Sequence, residues 1–475
     1  MLSLHCLERG RPDRPALRDA RGAWTYGELA ARVDAAAARL GRLDGARVAL
    51  QLDRTRQSAA VLLGVLRAGG VAVPLSLKGT PREIDYQKSD AGVSRTLELA
   101  GHAALVEGAG GPEFPPPGPD AAASILYTSG TTGRPKGVVH THAALAFQVD
   151  VLHGAWGWSR DDRLLHVLPL HHVHGLVNGL LGALRAGAEL RFVEAFDAAR
   201  VWEAFAAGEA TVFYAVPTIY HQLAEAWEAA GADARRRWTE GAGAMRLLVS
   251  GSAALPARLW RRWREITGQP LLERYGMTEI GMALSNPYRG ERRPGTVGQP
   301  LPGVEVRIAD EEGRDVPPGQ PGEILVRGPA LFREYWGNPE ATRASFRDGW
   351  FLTGDVAALQ DGYVAIQGRA SQDILKSAGY KLSALEIEEV VGEHPAVREV
   401  AVVGLPDPQW GEVVTACVVL RPGARLALEE LRAWCADKLA PYKVPRRLEV
   451  RESFPRTPLG KVVKKALADE VARGA

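Results

Sequence analysis

At 475 residues the chain is too long for one ordinary domain and long enough for about two or three, each with a sizeable apolar core. Its 58 Lys and Arg are interspersed with 56 Asp and Glu for a net charge of +2, so no basic block marks nucleic acid or a membrane surface as a partner. Three cysteines, Cys6, Cys417 and Cys435, are odd in number and widely separated, which excludes a disulfide framework and a zinc site and points to a reducing cytoplasm.

The N-terminal stretch MLSLHCLERGRPDRPALRD lacks the apolar centre of a signal peptide, and its acidic residues argue against a transit peptide. VALQL, RQSAAVLLGVLRAG and VAVPLSL then read as strand, apolar helix and buried strand, a βαβ unit. This is also the longest apolar region, and Arg67 with a glycine pair interrupts it before transmembrane length. Gly108 to Pro119 reads as a Pro/Gly-rich surface linker.

Directly after the apolar run SILY comes Tyr127 to Gly137, YTSGTTGRPKG. Glycines allow close backbone approach to an anion, the Ser129, Thr131 and Thr132 hydroxyls add donors, and Lys136 adds charge, so the loop is expected to hold phosphate. A P-loop is excluded because Lys136 lies between Pro135 and Gly137 instead of between Gly and Ser or Thr.

Two further strand-to-helix passages follow, ATVFYAVP into TIYHQLAEAWEAAG and MRLLVSGSAALP into ARLWRRWREITG, consistent with large parallel α/β layers. Beyond Gly290 the short alternating runs VEVRIAD, GEILVRG and GYVAIQGR predict a β-rich subdomain. From about Ala370, helix ALEIEEVVGEHP, strands EVAVVGLPD and VVTACVVL, helix LEELRAWCADKLAP and strand RRLEVRE predict a compact α+β unit of roughly a hundred residues.

The string YTSGTTGRPKG resembles the phosphate-loop motif of the adenylate-forming superfamily of acyl-CoA synthetases, adenylation domains and luciferases. Later motifs extend the resemblance over nearly the whole chain. It implies a large N-terminal domain, residues 1–369, of layered α/β subdomains plus the β-rich subdomain, and a small mobile α+β C-terminal domain, residues 370–475. It further implies ATP, Mg²⁺ and coenzyme A as cofactor and co-substrates.

By the same resemblance, Thr128, Ser129, Gly130, Thr131, Thr132, Gly133 and Lys136 hold ATP phosphates, and Gly251, Ser252 and Ala253 of LVSGSAALP belong to the ATP- and AMP-binding residues. In RYGMTE, Tyr275 stacks on adenine, Gly276, Met277 and Thr278 line the nucleotide, and Glu279 with Thr131 helps hold the metal. Asp355 of TGD binds ribose, and Arg369 of GRASQDILK contacts ribose or phosphate. Lys461 in PRTPLGKVVKK resembles the catalytic lysine that meets the substrate carboxylate and the α-phosphate.

Ser371 stands where the superfamily usually has a hinge Asp or Lys, and Ser377, Ala378, Gly379, Tyr380 and Lys381 resemble the loop that contacts coenzyme A after the small domain rotates. Ala378 replaces a frequent glycine.

LPLHHVHGL, VPTIYHQL, LVSGSAALP and ERYGMTEIGMALSNP together are similar to malonyl-CoA synthetases. A dicarboxylate needs a cation in its pocket, because burying an unpaired carboxylate costs several kcal/mol. Arg274 is the first candidate and Arg293 the second, with Arg292 not separable from it. His172 is expected to line the acyl region, while His174 reads equally as a core histidine.

The resemblance therefore implies malonate, ATP and coenzyme A as substrates, with methylmalonate a second acid. Alternatives are a short- or medium-chain monocarboxylate synthetase, an adenylation domain loading a carrier protein, and a nucleotide-binding regulator without the reaction.

Overall fold

The computed structural model describes residues 11–108, 110, 114–128, 135–377, 380–456 and 461–474. Its largest sheet has nine strands. Four parallel neighbours form the centre, in the order Leu247–Ser250, Val212–Ala215, Arg163–His166, Glu189–Phe192. The centre is buried on both faces, as expected where helices cover a parallel sheet.

A second sheet of six strands contains the unit read from the sequence. Arg47–Gln51 lies parallel to Val71–Leu75, with the helix Arg56–Arg67 crossing between them. Ala122–Thr128 lies beside Val71–Leu75 and turns back into Lys136–Thr141.

The β-rich subdomain is a five-stranded antiparallel sheet. It runs Glu305–Ala309, Gly322–Arg327, Trp350–Gln360, with Phe346–Arg347 and Tyr363–Arg369 both paired to the long strand. A single large apolar core, from Ala16 to Val364, joins these three sheets.

The C-terminal unit has its own five-stranded sheet, dominated by the antiparallel pair Val397–Asp407 and Gly411–Leu420. Separate cores lie on its two faces, one around Leu375, Ile387 and Leu431 and one around Val403, Cys417 and Leu467. The small domain is thus packed on itself and meets the large one mainly through polar contacts.

The strand Leu272–Met277 pairs in parallel with Leu247–Ser250 and then turns back antiparallel into Gly281–Ser285. That turn is tight. A Cβ on Gly276 would lie 2.0 Å from the Gly281 carbonyl oxygen, so only glycine lets the hairpin close. No described helix is long and apolar enough to cross a membrane.

Candidate active site

The parallel strands of the nine-stranded sheet end on one side, where ligands of open α/β sheets usually bind. There the loops after Val212–Ala215 and Leu247–Ser250, the hairpin from Leu272, the long strand of the β-rich sheet and the C-terminal domain enclose a cleft of about 2340 Å³.

Asp355 anchors one wall. Its Oδ2 accepts the Tyr275 hydroxyl at 2.6 Å, and Arg369 binds it twice, Nε to Oδ1 at 2.9 Å and Nη2 to Oδ2 at 3.1 Å. Burial first, and then the Asp355 charge, push the Tyr275 pKa well above its ordinary value, so this tyrosine remains a neutral donor. The fork from Arg369 fixes the carboxylate plane at the mouth of the cleft.

Glu279 sits further along the hairpin. Tyr335 donates to its Oε1 at 2.9 Å, and Lys136 lies over the Tyr335 ring at 4.3 Å from the centroid. Burial raises the Glu279 pKa, with Tyr335 pulling the other way. A carboxylate that is costly to bury is thus kept beside Tyr335, whose ring Lys136 covers at the start of the strand Lys136–Thr141. Among the described residues no cluster of three or more His, Cys, Asp or Glu forms a metal cage. One hard carboxylate oxygen fits Mg²⁺ nevertheless, since that ion takes much of its shell from phosphate and water.

Lys461 reaches the same cleft from the C-terminal domain. It is open to the solvent filling the cleft, yet its pKa is lowered, first by desolvation and then by Arg369 and Arg274, with Asp355 opposing. His172, beside His171 at 4.1 Å between ring centroids, is drawn down to about 3 by burial, His171 and Lys461.

Arg274 forms the deep end. It is 3% exposed, and neither Nε nor Nη2 has a hydrogen-bond partner among the described residues. Burial brings its pKa down to about 10, with Tyr214 and Glu273 opposing. Gly251 makes room for it: a Cβ there would lie 2.5 Å from the guanidinium carbon. His174 and Ser252 complete this end, with Nδ1 and Oγ 3.2 Å apart. Ser252 adopts a left-handed φ of 69° in order to face the cleft.

The family model "AMP-binding enzyme" matches residues 7–336, and "AMP-binding enzyme C-terminal domain" matches residues 386–461. The chain belongs to the AMP-binding enzyme family. It is 43% identical over 520 residues to the mitochondrial malonate–CoA ligase ACSF3 of Bos taurus, covering 97% of this chain and 88% of that protein. ATP-bound MatB from Rhodopseudomonas palustris superposes with a TM-score of 0.90 at 36% identity, covering 97% of this chain and 96% of that one. A malonyl-CoA ligase product complex with methylmalonyl-CoA and AMP superposes with a TM-score of 0.68 at 42% identity, covering 94% and 97%.

In this AMP-binding enzyme the structure brings Thr128, Lys136, His172, Ser252, Ala253, Arg274, Tyr275, Gly276, Met277, Thr278, Glu279, Asp355, Arg369 and Lys461 to one cleft, and Gly251 against Arg274. Ser129, Gly130, Thr131, Thr132, Gly133, Ala378 and Gly379 lie outside the described residues.

Arg293 is outside this lining: Glu291 holds it at 3.0 Å, and its guanidinium lies 4.3 Å from the Tyr363 ring centroid. Arg292 does not replace it, because its nitrogens bind the backbone carbonyls of Pro270, Pro287 and Tyr288.

The coenzyme A candidates stand away from Lys461. Ser377 is buried at a strand end, Tyr380 is 52% exposed and stacks on Tyr442 at 4.3 Å, and Lys381 pairs with Glu311 at 2.6 Å. Ser371 is exposed in the turn between the strands Tyr363–Arg369 and Ile374–Ser377.

Three supporting features escaped sequence reasoning. Tyr335 reaches Glu279 from 56 residues away, and no local pattern marks such a contact. His140, kept neutral by burial with a pKa near 4, donates Nε2–H to the Thr278 carbonyl at 2.7 Å and pins the turn before Glu279. Lys464 is held by Asp373 at 2.5 Å and Glu388 at 2.6 Å, while Asp373 also accepts the Arg369 backbone N–H at 2.9 Å. The spacing of Lys464 three residues after Lys461 was the one available signal.

Proposed function

We propose that this AMP-binding enzyme is a malonate–CoA ligase that joins malonate to AMP, releases pyrophosphate, and then transfers the malonyl group to coenzyme A, with methylmalonate as a second substrate. The buried Arg274 guanidinium carries this reading. Two of its N–H-bearing nitrogens lack partners, and a buried cation without one is costly unless the ligand supplies the anion. A monocarboxylate would leave it unpaired, whereas malonate has a second carboxylate to give it.

In the first step one malonate carboxylate oxygen attacks the α-phosphorus, and the bond to the pyrophosphate oxygen breaks. Lys461 lies where it would meet negative charge building on the α-phosphate and the attacking carboxylate. Arg274 fixes the far carboxylate, so the near one is oriented before attack. Asp355, held by Tyr275 and Arg369, has its carboxylate ready to accept ribose hydroxyls. Glu279, together with Thr131, is assigned to hold Mg²⁺, which supplies charge neutralisation at the phosphates. In the second step the thiolate of coenzyme A attacks the malonyl carbonyl carbon and AMP leaves.

Domain alternation separates the steps. The reading places the division between residues 1–369 and 370–475, with the pivot near the exposed turn at Ser371. Lys461 in the cleft and Tyr380 and Lys381 outside it support this, because both groups belong to one small domain. The superposition values support it as well: the relative bound to AMP and the thioester fits less well than the ATP-bound one despite higher identity, as a rotated small domain would cause. We assign Ser377, Ala378, Gly379, Tyr380 and Lys381 to coenzyme A in the rotated state, and the enzyme to the cytoplasm.

Arg274→Met tests the assignment. Truncating one partner of a buried charge pair costs about 2 to 5 kcal/mol, so kcat/KM for malonate should fall roughly 30-fold or more while propionate turnover holds or rises. Unchanged malonate kinetics would remove the arginine from the account.

A further inference from the structure

The helix Ala257–Thr267 begins after Pro256, whose side chain offers no capping group. Its first N–H groups therefore need partners from elsewhere. They find them on the other domain. Glu389, on the helix Ala384–Gly392, accepts the Ala257 N–H at Oε2 and the Arg258 N–H at Oε1, each at 3.1 Å. Arg261, one turn further along, pairs with Glu393 at 3.1 Å and lies 3.8 Å from Glu389. Glu389 thus grips the first turn of the facing helix, at the end where the helix dipole favours negative charge, and Glu393 holds the next turn.

The location gives this contact consequence. The segment from Ser252 to Pro256, which leads into the capped helix, lines the cleft beside Arg274, and Lys461 enters the cleft from the domain that carries Glu389. Among the other contacts across the domains, Lys381 with Glu311 is weak at 63% and 82% side-chain exposure, and Ser383 Oγ donates to the Gln367 carbonyl at 2.5 Å close to the pivot.

We propose that Glu389 is a positioning residue, whose clamp on the Ala257 and Arg258 N–H groups holds the small domain where Lys461 faces Arg274 and Arg369 and must release before residues 377–381 reach the cleft. The kinetic part of this inference rests on the two-step reading above. A carboxylate in two charge-assisted hydrogen bonds gives a directional, breakable contact, which suits an orientation visited in every turnover.

Glu389→Gln, Glu389→Asp and Pro256→Ser in the full chain test it. The serine variant offers the helix a competing cap from its own segment and leaves the small domain untouched. Three quantities are read: malonate-dependent ATP–pyrophosphate exchange, thioester formation from added malonyl-adenylate and coenzyme A, and deuterium uptake of the amides at 257 and 258.

With Glu389→Gln, pyrophosphate exchange should fall about 10-fold, thioester formation should hold or rise, and the two amides should exchange faster, since an orphaned helix N–H loses its protection. Glu389→Asp should recover part of the exchange activity, and Pro256→Ser should reproduce the kinetic split. Equal losses in both half-reactions, or no change in either, would overturn the positioning role, and unchanged deuterium uptake in Glu389→Gln would overturn the clamp itself. Wild-type protein without malonate-dependent exchange would sink the malonate reading, while amide protection would still decide the clamp.

Discussion

Arg274 and Gly251 act as one device. The strand Leu272–Met277 is buried through Tyr275, a guanidinium at Arg274 needs lateral space there, and the missing Cβ of Gly251 provides it. Replacing that hydrogen by a methyl puts carbon 2.5 Å from Cζ and 2.6 Å from Nε, so the guanidinium must shift. A displacement of about 1 Å in a substrate-positioning group can cost up to about 10²-fold. Gly251→Ala should therefore lower kcat/KM for malonate by about 10-fold or more and leave the KM for ATP near wild type. Steady-state kinetics with each substrate varied will show this, and unchanged malonate kinetics would mean that the arginine does not hold the acid. Motif position ranked Arg274 above Arg293, and the burial that separates them was not legible: one is on a buried strand and the other lies beside Glu291 and Asp361.

Most elements were legible because their apolar runs differ in period and end at Gly or Pro. VALQL is the strand Arg47–Gln51, ARLWRRWREIT is the helix Ala257–Thr267, and ACVVL lies in the long strand Gly411–Leu420. The segment His174–Leu181 was not legible. It forms a π-helix that begins at the last histidine of LPLHHVHGL, and its apolar pattern cannot distinguish an i→i+5 ladder from an ordinary helix. Strand order was equally hidden, since Pro15–Asp19 pairs with Glu189–Phe192 across a long stretch of chain. The Asp355, Tyr275 and Arg369 cluster was legible only as three separate motifs; its hydrogen bonds depend on how two sheets meet. The clamp by Glu389 left no trace in local sequence, because an acid on a helix is ordinarily solvated surface.

At the scale of the molecule, buried histidines and buried acids act on the pH response in opposite directions. Burial lowers the pKa values of His140, His142, His166 and His171 to about 4 from 6.5. Below pH 6.5 the unfolded chain binds protons that the folded chain refuses, so stability falls as the pH drops towards 4. Glu273 acts in the opposite direction. Burial, with Glu389 adding, raises its pKa from 4.5 to about 8, so the folded chain keeps a proton that the unfolded chain releases, and stability falls as pH rises between these values. The lowered histidines, His172 among them, outnumber the raised acids Glu273, Glu279 and Glu388 below pH 6.5, and thermal melts should show a steep acid limb, a maximum near pH 6.5 and a shallower decline to pH 8 that Glu273→Gln flattens. A melting temperature constant from pH 4 to 6.5 would show that these histidines are not buried neutral.

The whole arrangement, with Tyr275, Asp355 and Arg369 on one wall of the cleft, a buried arginine at Arg274 and a lysine delivered by the small domain, amounts to an enzyme that activates a short dicarboxylate on ATP and passes it to a thiol. The most direct measurement is pyrophosphate release from ATP with malonate, methylmalonate, acetate, octanoate and benzoate, each with and without coenzyme A, and the thioester identified by mass. Malonate should give the highest kcat/KM, with malonyl-CoA as product and methylmalonyl-CoA second. Preference for a monocarboxylate, or adenylate formation that ignores coenzyme A, would contradict the account.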